Sequence, residues 1–74
     1  MTRSISTIAA DIRANWANVN YAAVPYLDAM DSIDSINDMF YADTARSVVL
    51  YFLANARSFT GDAARRIKAE LKSL

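Results

Sequence analysis

With 74 residues, 54% of them apolar, and a single Gly and a single Pro, the chain has room for one small domain and argues against a loop-rich fold. Cys and His are both absent, which removes disulfides, thiol chemistry, the usual general base and the commonest transition-metal ligand. Eight basic and eight acidic residues balance to zero but are unevenly spread: Asp28, Asp31, Asp34, Asp38 and Asp43 make an acidic middle, and Arg57, Arg65, Arg66, Lys68 and Lys72 a basic C-terminal segment.

The first residues, Met1-Thr2-Arg3-Ser4-Ile5, run into a helical pattern without an apolar leader core, so a soluble intracellular protein is expected. Ile5, Ile8, Ile12, Trp16 and Val19 recur at spacings of three and four, one stripe of an α-helix, with Ser4 or Ser6 as its cap. Asp11 and Arg13 fall off that stripe and are expected to face water. Asn15, Asn18 and Asn20 weaken helical propensity, so the helix is expected to end between Trp16 and Val19. A second helix follows over about 23–30, with Pro25 in its first turn, where a missing N–H costs no helical bond. Val24, Leu27 and Met30, with Tyr26 alongside, carry its apolar side. Asp-Ser-Ile then occurs twice, a period too short for a repeat architecture. Its cap formers predict a turn and a short helix through Met39 and Phe40, begun by Asp34 or Ser35.

Asp43 is the expected cap of a third helix over about 44–57. This helix holds the run Val48-Val49-Leu50-Tyr51-Phe52-Leu53-Ala54, which leaves no polar face and is far short of the ~20 residues needed to cross a bilayer. A central helix packed on most sides, or partly by a second chain, is expected. If two copies pair, Leu50 or Tyr51, on the side away from Val49 and Phe52–Leu53, is the expected contact. Thr60 is the expected cap of a fourth helix, with Phe59 as an apolar anchor before it and Asp62 in its first turn. Ala64, Ile67, Leu71 and Leu74 form its stripe, and Arg65, Lys68 and Lys72 project from another face. No strand pattern is evident. The expected fold is all-α: a single domain over 1–74, a compact bundle of four or five short helices around an apolar one.

Candidate chemistry is sparse. Asp28, Asp31, Asp34 and Asp38 would share one face of an unbroken helix, yet the segment has no Gly-containing cation loop, so no metal and no cofactor is expected. The turn Arg57-Ser58-Phe59-Thr60-Gly61-Asp62 between two helices superficially suits a helix-turn-helix. In that alternative, Arg57, Arg65, Arg66, Lys68 and Lys72 contact phosphates. Neutral net charge and the apolar helix before the turn argue against it, as does the expected Asp62–Arg66 ion pair. Without His, and with both Lys in an exposed helix, no enzyme is expected. The aromatics are the better lead. Tyr and Trp are enriched at interface hot spots, and Tyr21, Tyr26 and Tyr41 flank the predicted turns near the acidic segment.

The segments Val19-Asn20-Tyr21-Ala22-Ala23-Val24-Pro25-Tyr26-Leu27-Asp28-Ala29-Met30, Asp34-Ser35-Ile36-Asn37-Asp38 and Ser47-Val48-Val49-Leu50-Tyr51-Phe52-Leu53-Ala54-Asn55-Ala56 together resemble a family of small uncharacterised all-helical proteins of tailed bacteriophages and prophages. The likeness extends through Ala64-Arg65-Arg66-Ile67-Lys68-Ala69-Glu70-Leu71 and carries no catalytic residues. It implies expression in the cytoplasm of a bacterial host and action by protein–protein contact, with a host defence complex such as a CRISPR effector as one target class. The expected partner surface combines Tyr21, Tyr26, Asp28, Asp31, Asp34, Asp38 and Tyr41, an acidic face with aromatic anchors suited to a basic partner such as a nuclease groove. A virion-assembly component is a further alternative.

Overall fold

Each helix starts where the sequence supplies a residue for it. In the computed structural model, which describes residues 3–74, α1 spans Ile5–Asn15, α2 Val24–Met30, α3 Ala45–Ala54 and α4 Asp62–Lys72. Met1 and Thr2, part of the leader reading, lie outside the described residues. Ser4 caps α1, its hydroxyl accepting from the Thr7 N–H at 3.2 Å. Pro25 sits in the first turn of α2, as its missing donor allows.

Two caps differ from expectation. Thr44, not Asp43, caps α3; its hydroxyl accepts from the Ser47 N–H at 3.1 Å, because Asp43 is held in a strand. Gly61, not Thr60, occupies the cap position of α4. Its φ of 103° turns the chain through a conformation that a side chain at residue 60 cannot replace.

The expected short helix through Met39 and Phe40 does not form, and the fold is not purely all-α. Those residues are strand β1, Met39–Phe40, paired antiparallel with β2, Asp43–Thr44, in the register Met39↔Thr44 and Phe40↔Asp43. The cause lies just upstream. The Asp38 carboxylate accepts from the N–H groups of Asp34 and Ser35, at 3.1 and 3.0 Å, closing a turn where a helix would have begun. Tyr41, at the hairpin tip, takes φ 57°, a left-handed conformation uncommon for a non-glycine residue.

The four helices are compactly arranged around one apolar core. Ile5, Ile8, Ile12 and Trp16 are buried along the α1 stripe, and Leu27 and Met30 of α2, Val48, Val49 and Phe52 of α3, and Ile67 and Leu71 of α4 meet them. Trp16 joins the pieces: it stacks on Phe59 with ring centres 5.0 Å apart and meets the Phe52 ring edge-on at 6.2 Å. α2 packs on α3 and on α1, and α1 packs on α4. Asn20, just before α2, donates to the carbonyl of Asn55, the C-cap of α3, while Tyr26 faces Tyr51 farther along, so α2 and α3 run antiparallel.

α3 is apolar but not enclosed. It buries Ala45, Val48, Val49 and Phe52 and leaves Leu50 and Tyr51 59% and 52% exposed, so the first of the two expectations, a helix packed on most sides by its own domain, is corrected.

Candidate functional site

α2 divides the expected partner surface in two. At roughly 100° per residue, Tyr26 and Asp28 lie roughly 200° apart around the helix and serve different seams. On the α1 side, one guanidinium nitrogen of Arg13 donates to both Asp28 and Asp31, each at 2.7 Å. On the α3 side, the Tyr26 ring lies 5.5 Å from that of Tyr51. Asp38 is engaged in its own turn, as described above. Asp34 is exposed beside that turn. Tyr21 and Tyr41 are 88% and 89% exposed and bracket α3, Tyr21 beside the Asn20–Asn55 link at its C-terminal end and Tyr41 on the hairpin that feeds its N-terminus. Tyr26 thus belongs to the α3 seam, Asp28 and Asp31 belong to the α1 seam, and Tyr21 and Tyr41 stand apart at opposite ends of α3.

Arg13 therefore does more than face water. Its two carboxylate partners raise its pKa, Asp31 more than Asp28. The same holds for Asp11. Its carboxylate accepts from Arg3 at 3.0 Å, from Arg66 at 3.2 Å and from the Asn15 amide at 2.9 Å. Arg3 also makes a two-pronged bond to Glu70. These bonds hold the Asp11 carboxyl below its ordinary range, the hydrogen bond from Arg3 leading and that from Arg66 next. Glu70 is lowered in the same way by Arg3, whose own pKa is raised in return by Glu70 and then Asp11. The network ties the start of α1 to α4.

That tie also divides the basic set. Arg66 is committed to Asp11, and Asp62 lies 3.8 Å from Arg65 rather than pairing with Arg66 as the spacing suggested. Lys68 places its ammonium 5.8 Å from the Phe59 ring centre. Arg57, Arg65 and Lys72 remain exposed. An open depression of about 270 Å³ at the start of α4 is lined by Phe59, Thr60, Gly61, Ala64, Arg65 and Lys68.

Among the described residues, no group of three or more carboxylates gathers as a metal site, and no helix is long and apolar enough to cross a membrane. Buried polar side chains are absent from the core, so the interior holds no poised acid, base or nucleophile among the described residues. No family model, curated protein or solved structure matches this chain.

Sequence reasoning linked Leu50 and Tyr51 to a contact between copies and left them out of the partner surface. The structure sets the Tyr51 ring against that of Tyr26 and leaves Leu50 exposed. The signal was available in the helical wheel: Leu50 lies opposite the Val48, Val49 and Phe52 side of α3, and Tyr51 falls at its edge.

Proposed function

We propose that this protein is a non-enzymatic helical bundle of phage type that acts by binding a host protein in the bacterial cytoplasm and inhibiting it, a defence complex being the target class. The observation that carries this reading is the exposed apolar and aromatic face of α3, with Leu50 and Tyr51 open to solvent and Tyr26 against Tyr51. Large apolar side chains clustered on the surface of a small protein mark interaction sites, and tyrosines supply large contact area at low entropic cost.

The resemblance to small phage proteins supports a host protein as the partner. The acidic part of the originally expected surface contributes less, since Arg13 answers Asp28 and Asp31 within the fold. Attraction to a basic nuclease groove would then fall to Asp34 and Asp43, both exposed and without an ion pair among the described residues.

The test is capture of binding proteins from bacterial lysate by the tagged chain, with and without nuclease treatment, read by mass spectrometry. One host protein retained after digestion is the expected result. Recovery of nucleic acid alone, lost on digestion, would sink the proposal and transfer function to Arg57, Arg65 and Lys72.

A further inference from the structure

The hairpin between α2 and α3 holds the one non-glycine residue at positive φ among the described residues, Tyr41 at 57°. With Phe40 opposite Asp43, the loop is Tyr41 and Ala42 alone, and φ is positive only at the first of them. That loop position ordinarily takes glycine. A bulky side chain there is a steric outlier, and such strain persists only where the surroundings over-determine it. Here they do. Both strands pack on α3, the Ala45 N–H donates to the Asp38 carbonyl at 2.8 Å, and the Asp38 carboxylate closes the turn that leads into β1.

The fold gains little from the ring held in this way. Tyr41 is almost fully exposed, and Phe40 meets its ring edge-on at 4.7 Å, a contact that orients the ring without covering it. Met39, beside them on β1, is exposed as well. The charges around the tip are of one sign. Residues 34–45 contain Asp34, Asp38 and Asp43 and no Lys or Arg. Asp38 is engaged in its turn. Asp43 follows the loop directly opposite Phe40, exposed and without an ion pair among the described residues. Arg46, the next cation along the chain, turns its guanidinium to the Leu74 carbonyl.

We infer that Tyr41 is an anchor residue: its ring, carried at the hairpin tip, enters an apolar pocket of the partner protein, and a Lys or Arg at the rim of that pocket meets Asp43. This rests on the protein-binding reading above and names a contact residue for it, together with the chemistry of the surface that residue meets. Tyrosine is enriched at interface hot spots because it buries a large area with few rotamers to lose. A short, pinned loop reduces that loss further, since the backbone conformation and the edge contact with Phe40 set the direction of the ring before the partner arrives. The Asp43 carboxylate adds orientation and on-rate to the apolar contact.

The test uses the full chain as bait in nuclease-treated bacterial lysate, with each captured protein quantified against wild type, beside urea titration of the same variants. Tyr41→Gly and Tyr41→Ala both remove the ring, and only the first is unstrained at positive φ. Tyr41→Gly should therefore be at least as stable as wild type, with a folding constant about fivefold above that of Tyr41→Ala. Capture by Tyr41→Gly should nonetheless fall at least about tenfold, a loss that unfolding cannot explain. Tyr41→Phe, which keeps the ring, should retain capture. Asp43→Lys should weaken it, most at low ionic strength. A Tyr41→Gly variant that captures as well as wild type overturns the inference and leaves the protein-binding reading standing. A wild type more stable than Tyr41→Gly also overturns it, because folding alone would then explain the tyrosine. Capture that Asp43→Lys leaves unchanged at every ionic strength removes the basic rim. Sedimentation showing self-association that Tyr41→Gly abolishes would assign the tip to a second copy instead. Failure of the protein-binding reading shows differently, as no protein retained by wild type itself, and the inference falls with it.

Discussion

α3 and α4 follow one another in the chain and use their residues in opposite ways. α4 buries Ala64, Ile67 and Leu71 along one stripe and covers the rest of its surface with Asp62, Arg65, Arg66, Lys68, Glu70 and Lys72. Several of those charges have partners on the molecule: Arg66 with Asp11, Glu70 with Arg3, and Lys68 over Phe59. α3 buries an equally good stripe, then carries Leu50 and Tyr51 into solvent. The outer face of α4 is satisfied by water and by its own neighbours. That of α3 is not. The difference separates a helix whose composition is explained by folding from one whose composition asks for something more.

The inner face of α3 should be the most sensitive position. Phe52 is fully buried against Trp16, and Phe52→Ala is expected to cost about 3–5 kcal/mol. A domain of this length has about 4–11 kcal/mol in total, so urea titration should show a variant close to unfolding. At the start of α4, Gly61→Ala meets no neighbouring atom, but φ 103° with ψ −177° is a region that essentially only glycine occupies. A loss of about 1–3 kcal/mol is expected by the same titration, and a loss near zero would show that the turn before α4 can relax.

The ion network on α4 should register next, and through pH. Asp11 and Glu70 have carboxyls lowered from ordinary values of 3.8 and 4.5. A carboxylate lowered in the folded state stabilises the fold above its unfolded pKa and loses that contribution as pH falls through the folded one. Stability should therefore be flat near neutrality and decline below about pH 4.5, continuing below pH 3.8. Asp11→Asn should cost about 1 kcal/mol at pH 7, since the side chain is partly exposed, and should flatten that decline in denaturation curves taken across the acid range. The smallest effect belongs to the outer face of α3. Leu50→Asp should change stability by no more than about 0.5 kcal/mol, and a larger loss would mean that this face supports the fold and is not spare surface.

Much of this arrangement was legible in the residues. The α1 stripe, Ser4 as its cap, Pro25 in the first turn of α2 and the stripe of α4 through Leu71 follow from local spacing, because each depends on neighbours within one or two turns. The hairpin was not legible. Strands two residues long have no alternation to detect, and Tyr41 at positive φ runs against the turn chemistry that marks a hairpin. The ion pairs were hidden for a different reason. Spacing along one helix suggests Asp62 with Arg66, whereas the fold offers Arg66 a carboxylate on α1. The division of Tyr26 from Asp28 needed the positions of both flanking helices, since a sequence shows the faces of α2 without saying what lies against them.

Arg3 and Glu70 meet across 67 residues, and Asp11 and Arg66 across 55. Closing so long a segment costs more chain entropy than joining α2 to α3, and it cannot begin before α4 exists. α1 is held first by α2 and the residues that follow it, through Arg13 with Asp28 and Asp31 and through the Ile5 and Ser6 N–H groups, which donate to the carbonyls of Asp34 and Ile33, so α4 is the last helix to be secured.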